Sequence, residues 1–152
     1  MNGVATPTME KFCLQHGVAV PFAVERIRAG RNSEVSRIHN RDGQWILKSY
    51  YRGAGDTRDR LGTEYGFLRY LQDAGVSGVP VPLGADHDLQ LGLYSCLPGS
   101  RPESISPSHI SQAAEFVGRI NRRAGTSGLA AAADACVSWQ DHIDLAHTRV
   151  VR

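Results

Sequence analysis

One lysine interrupts an apolar, β-prone run, Trp45-Ile46-Leu47-Lys48-Ser49-Tyr50. An ammonium drawn out of water is costly unless an anion meets it. Glu64 is the candidate anion. Leu61, Tyr65, Leu68 and Leu71 recur at helical spacing, and Glu64 falls three residues after Leu61 and four before Leu68, on the same face. A carboxylate on a buried helix face needs a cation as much as the strand lysine needs an anion. Together they could grip phosphate oxygens, with the glutamate orienting the ammonium. The plainer alternative is two unrelated surface charges, because both residue types are usually solvated.

Two further stretches could contribute. Ala29-Gly30-Arg31-Asn32-Ser33-Glu34-Val35 places a glycine and small polar residues between two strand-like segments. Such a turn can bring backbone N–H groups against phosphate oxygens. It matches neither the G-x-x-x-x-G-K-[ST] loop nor the full G-x-G-x-x-G pattern, and most turns of this kind are plain hairpins. Leu93-Tyr94-Ser95-Cys96-Leu97-Pro98-Gly99 runs from a strand into a connector, whose free backbone groups could meet the edge of an adenine ring. The alternative there is a linker and nothing more.

The positioning elements read as follows. Residues 8–16 form a first helix, capped by Thr6 or Thr8 and stopped by Gly17. Residues 22–29, 34–39 and 44–51 are strands. The turn Asn40-Arg41-Asp42-Gly43 joins the last two, so the three make an antiparallel meander. After a loop at residues 53–57, Asp56 or Thr57 caps a helix running from about residue 58 to 74, and Gly75 ends it. A fourth strand starts at Val79, with Pro80 and Pro82 marking a strand start or a sheet edge. Asp86-His87-Asp88 turns the chain, and residues 89–97 return as a fifth strand.

Beyond a linker at residues 98–102 the pattern becomes helical. Ser106 and Pro107 open a helix with Ile110, Ala113, Ala114, Val117 and Ile120 on one face. Residues 125–135 are a small-residue loop. Ser138 and Asp141 resemble a capping box for a last helix with Trp139, Ile143, Ala146 and Val150 on its stripe. The fold class is therefore α+β. A five-stranded antiparallel sheet with one packed helix fills residues 1–98, and residues 99–152 hold the linker and the first helices of a second lobe.

Composition narrows the function classes. The chain has 152 residues, 41% hydrophobic and 21% charged, with a net charge of +2. That charge gives no argument for nucleic acid or an anionic membrane as partner. Three widely spaced cysteines, Cys13, Cys96 and Cys136, provide no disulfide framework and no cysteine-based zinc site. With no signal-peptide or membrane-spanning run, the expected location is the cytoplasm.

The order of elements resembles the N-terminal lobe of the protein-kinase-like superfamily: strand, small-residue turn, strand, hairpin, strand with lysine, helix with inward glutamate, two strands, linker, helix. It is more closely similar to the aminoglycoside phosphotransferase/choline kinase family. Gly30-Arg31-Asn32-Ser33-Glu34-Val35, Ile46-Leu47-Lys48, Arg58-Asp59-Arg60-Leu61-Gly62-Thr63-Glu64 and Leu97-Pro98-Gly99 look like that family's segments, in its order. The resemblance implies that Lys48 contacts the α- and β-phosphates of ATP and that Glu64 orients it. It also implies that Gly30, Arg31, Asn32 and Ser33 cover the phosphates, and that Val35 and Ile46 roof the adenine. Ser95 C=O and Leu97 N–H would bind the adenine edge. The turn has one glycine where protein kinases have several.

The implied activity is transfer of the γ-phosphoryl group of ATP to a hydroxyl of a small molecule, with Mg as the second cofactor. That chemistry needs a catalytic-loop aspartate followed by an asparagine, and a second aspartate for the metal. No such segment is identified. His39-Asn40-Arg41-Asp42 and His87-Asp88 fall in hairpins, and His142-Ile143-Asp144 falls in an amphipathic helix with Arg149 where the asparagine would stand. The expectation is a nucleotide-binding lobe with no catalytic or metal-ligating residue, inactive alone, whose partners are ATP and a hydroxyl acceptor. The alternatives are a non-catalytic module that associates through its C-terminal helices, or a gene fragment without a function of its own.

Overall fold

The structure, a computed structural model, describes residues 2–3, 6–29, 32–53, 58–121, 129 and 138–150. Its elements run β1 (Asn2–Gly3), α1 (Pro7–Gln15), β2 (Ala23–Ala29), β3 (Ser33–Asn40), β4 (Gly43–Tyr50), α2 (Arg60–Asp73), β5 (Pro82–Asp86), β6 (Leu91–Ser95), α3 (Pro107–Asn121) and α4 (Trp139–Val150). The five expected strands form one antiparallel sheet in the order β2-β3-β4-β6-β5, and the two-residue β1 extends it at the β2 edge. The class is α+β, with the sheet and helix of a kinase-like N-terminal lobe.

Local chemistry sets the hairpins. At the β3–β4 turn, Asn40 Oδ1 accepts hydrogen bonds from the N–H groups of Asp42 (2.7 Å) and Gly43 (3.2 Å). At the second hairpin, Asp86 Oδ1 accepts from Asp88 N–H (3.0 Å) and Leu89 N–H (2.9 Å). Side-chain oxygens of Asn and Asp commonly organise turns this way. Strands β5 and β6 are shorter than the sequence pattern implied. Pro80 offers no N–H for a ladder ahead of β5, which starts at Pro82. Leu89 and Gln90 belong to the turn before β6, and Gln90 has φ 54°.

Strand alternation then sorts side chains onto two faces. Leu47, Leu91, Leu93 and Ile38 meet Phe12 and Cys13 of α1 in one apolar core. The other face carries Ile46, Lys48 and Tyr50 and is crossed by α2. The sheet therefore has a packed helix on each face, where the sequence pattern had identified one. Thr6 caps α1, its Oγ1 accepting from Met9 N–H at 3.3 Å, and Gly17 at φ +83° ends it, both as expected.

Helix α2 begins later than expected, and its cap is Asp59 rather than Asp56 or Thr57, which lie outside the described residues. Asp59 Oδ1 accepts from Gly62 N–H at 2.8 Å. A Cβ on Gly62 would overlap the Asp59 carboxylate, so the glycine lets the cap close. Gly62 and Gly66 weaken the helix by about 1 kcal/mol each. Burial of Leu61, Leu68 and Leu71 contributes about 2 kcal/mol apiece and outweighs that loss. Packing on the sheet, rather than propensity, holds α2 in place.

Helix α3 opens as expected, with Ser106 Oγ accepting from His109 N–H at 3.3 Å. Its apolar face lies open, with Ile110 62% and Val117 53% exposed, and Trp139 of α4 is 84% exposed. Among the described residues no helix is long and apolar enough to cross a membrane.

Two stability predictions follow from this packing. Asp59→Ala should lower unfolding free energy by about 1 kcal/mol in urea denaturation; an unchanged midpoint would show that the cap contributes nothing. Burial pushes the Cys13 thiol from 9.0 up to about 11. The unfolded chain ionises this thiol near its ordinary value, and the native chain does so only near the raised one. The stabilisation is therefore complete below about pH 9 and is lost as pH rises through about 11. A Cys13→Ala variant should show a flatter decline in stability across that window, measured by denaturation at stepped pH.

Candidate functional site

The β-ladder places Lys48 between Val35 of β3 and Gly92 of β6. Ile46, two residues earlier on the same face, pairs with Tyr94. Helix α2 lays Glu64 against this face. Lys48 Nζ donates to Glu64 Oε1 at 2.7 Å and to Oε2 at 2.6 Å. The lysine side chain is 19% exposed and the glutamate 38%, so the pair is half-buried with one side toward solvent. A charge-assisted, two-point contact of this kind is stronger and more directional than an exposed ion pair. The two charges that the sequence paired as candidates meet here.

Two phenols complete the arrangement. Tyr50 O–H donates to Glu64 Oε2 at 2.9 Å, and the Tyr50 and Tyr94 hydroxyl oxygens lie 2.9 Å apart. The Lys48 ammonium stands 5.2 Å from the centre of the Tyr50 ring, within cation–π range. Burial raises both phenols above their ordinary value, and the negative charge of Glu64 raises them further. They therefore remain neutral hydroxyls across physiological pH. Sequence reasoning missed both. Tyr50 carried a usable signal, a polar-tipped aromatic on the same strand face as Lys48. Tyr94 carried none until β6 was known to pair with β4.

The remaining expected residues are distributed around this centre. Val35 and Ile46 join Lys48 and Glu64 on the same face, half-buried. Ser33 pairs with Tyr50 at one end of the ladder, and Asn32 C=O accepts from Tyr51 N–H at 3.0 Å. Gly30 and Arg31 lie outside the described residues. Ser95 pairs with Trp45 towards the other end of the β4–β6 ladder. Its N–H donates to Val81 C=O at 2.9 Å and its hydroxyl accepts from Val81 N–H at 2.8 Å. Leu97 follows β6 and is 44% exposed.

The histidine–aspartate motifs stand elsewhere. His39 and Asp42 belong to the first hairpin and His87-Asp88 to the second. His142 and Asp144 lie in α4, where Asp144 Oδ1 accepts from Gln140 Nε2 at 2.9 Å. Among the described residues no three His, Cys, Asp or Glu side chains gather to hold a metal ion.

The opposite sheet face bears a cleft of about 310 Å³ under α1, lined by Met9, Ser36, Leu47, Ser49, Leu91 and neighbouring residues. Its acidic residue, Glu34, is engaged by Arg26 at 2.8 Å. None of the described residues lining it is a cation, whereas Lys11 lines a second cavity of about 450 Å³ beside α1, with Asp86 on its wall.

The α+β fold that holds this lysine–glutamate contact is that of a kinase-like N-terminal lobe. The model of the phosphotransferase enzyme family matches residues 23–135, from the start of β2 to beyond α3, and the chain belongs to that family. No curated protein matches the chain.

Gly92 makes the site's geometry possible. A Cβ at this position would lie 2.6 Å from the Tyr94 hydroxyl oxygen and 2.8 Å from its ring. Gly92→Ala should therefore displace the Tyr94 ring and cost about 1–3 kcal/mol, measured by thermal or chemical unfolding. Stability equal to that of the parent chain would mean that the ring has room the geometry denies it.

Proposed function

We propose that this chain binds ATP through Lys48 and Glu64, as the nucleotide lobe of a phosphotransferase acting on a hydroxyl of a small molecule. The observation that carries the proposal is the two-point contact at 2.6 and 2.7 Å between a strand lysine and a helix glutamate, in a chain of the phosphotransferase family. An ammonium has three N–H donors. Two are directed at Glu64, which leaves one for an α- or β-phosphate oxygen.

Gly30, Arg31, Asn32 and Ser33 would cover the phosphates, Val35 and Ile46 would roof the adenine, and Ser95 C=O with Leu97 N–H would meet its edge. The acceptor candidates are aminoglycoside, choline-like and sugar hydroxyls. Magnesium, the family's usual companion of ATP, has no assigned ligand in this chain, and no catalytic base is assigned either. Residues 1–98 would be the nucleotide lobe and residues 99–152 the linker and first helices of the next.

A second reading, an interaction module, is favoured by one observation. Ile110, Val117, Trp139 and Ile143 present 46–84% of their surface to solvent. Apolar surface of this kind commonly marks a protein interface.

Titration with ATP and Mg²⁺ tests the first proposal. Wild type should bind, and Lys48→Ala should bind at least about ten-fold more weakly, the expected effect of losing a charge-assisted hydrogen bond. Equal affinity in the two proteins, or no binding by either, would remove the phosphate role. For the second reading, light scattering over a concentration series should show self-association, and a monomer throughout would count against it.

A further inference from the structure

We infer that Tyr50 is a positioning residue of the phosphate grip, acting through Glu64 and backed by Tyr94. The inference rests on the ATP role of Lys48 proposed above and extends it to residues that the family resemblance did not assign.

The direction of each hydrogen bond follows from donor and acceptor inventory. An ionised carboxylate only accepts, so the 2.9 Å contact between Tyr50 and Glu64 Oε2 uses the single Tyr50 proton. Tyr50 then has nothing left to donate. The 2.9 Å contact between the two phenols must run from the Tyr94 O–H to the Tyr50 oxygen. The chain is therefore Tyr94 to Tyr50 to Glu64, and Glu64 Oε2 takes one hydrogen bond from Tyr50 and one from Lys48.

Glutamate has three rotatable bonds and would otherwise sample several rotamers at 38% exposure. The Tyr50 hydroxyl fixes one carboxylate oxygen from within the lobe. The ammonium is consequently held on its solvent side, where a phosphate can reach its third donor. Tyr50 itself is held by the fold. It is 5% exposed, and its N–H donates to Gln90 C=O at 2.9 Å. Rigid support of a binding side chain raises affinity by removing conformational freedom before the ligand arrives.

Tyr50→Phe keeps the ring and removes only the hydroxyl. Titrations with ATP plus Mg²⁺ and with adenosine separate the roles. Tyr50→Phe should weaken ATP about five-fold, the worth of one hydrogen bond, and leave adenosine affinity unchanged. In a Glu64→Ala background the same substitution should add nothing, because the group it positions is gone. Tyr94→Phe keeps the Tyr50–Glu64 bond and should weaken ATP less than Tyr50→Phe does.

Parallel loss of ATP and adenosine affinity in Tyr50→Phe would indicate a general packing role and overturn the inference. So would an undiminished effect in the Glu64→Ala background. If Lys48→Ala weakens ATP and Tyr50→Phe does not, the positioning role alone fails. If Lys48→Ala is also without effect, the phosphate grip fails and this inference falls with it.

Discussion

The contact between Lys48 and Glu64 constrains the placement of nearly everything around it. The two residues are sixteen apart in sequence and come from different kinds of element. Their meeting requires strand β4 to present its even-numbered side chains to α2, and α2 to dock with Glu64 among its buried leucines. Each charge is partly withdrawn from water at its position, and the other offsets part of that cost. Removing one partner leaves the other charge partly desolvated, a cost that solvent access on the open side reduces. The late start of α2 at Arg60, the Asp59 cap and the glycine that lets it close all fix where the helix lies, and so where the carboxylate stands.

The sheet separates two tasks by its pleat. On the α1 face, Leu47, Leu91, Leu93 and Ile38 build an apolar core with Phe12 and Cys13, whose burial stabilises the lobe. On the α2 face the same strands place Lys48, Tyr50 and Tyr94 around a carboxylate. One strand serves both because successive residues point oppositely. A slip of one residue in the β3–β4 register would bury Lys48 in the hydrocarbon and expose Leu47. The tight Asn40–Gly43 turn guards against that slip, since it fixes the register from which Val35 opposes Lys48.

Much of this was legible in the sequence, and the limits have a physical cause. The strands, the caps at Thr6 and Ser106, the end of α1 at Gly17 and the facing of Lys48 and Glu64 all depend on spacing within one segment or on alternation. Those signals are local. The Asp59 cap escaped because several acceptors precede α2, and the helix start that selects among them depends on docking. The β1 strand escaped because two residues carry no pattern. Tyr94 and Gly92 escaped for a deeper reason. Their roles exist only once β6 is known to pair with β4, placing Tyr94 beside Ile46 and Gly92 beside Lys48. Pairing across more than forty residues is a tertiary fact, and no local period encodes it.

Stability alone gives little reason for such a polar centre. Well-packed apolar residues in place of a buried ion pair are often neutral or stabilising. Here the fold goes further than tolerating a pair. It adds two buried hydroxyls in a satisfied network, and it places a glycine where any larger residue would crowd Tyr94. These features reduce the freedom of one carboxylate, which matters little for cohesion and much for holding a cation in a fixed position. The pair is also left open on one side, with the lysine 19% and the glutamate 38% exposed, so an ion in solvent can reach it. On the function proposed above, an ammonium held from behind and open in front would meet a phosphate oxygen.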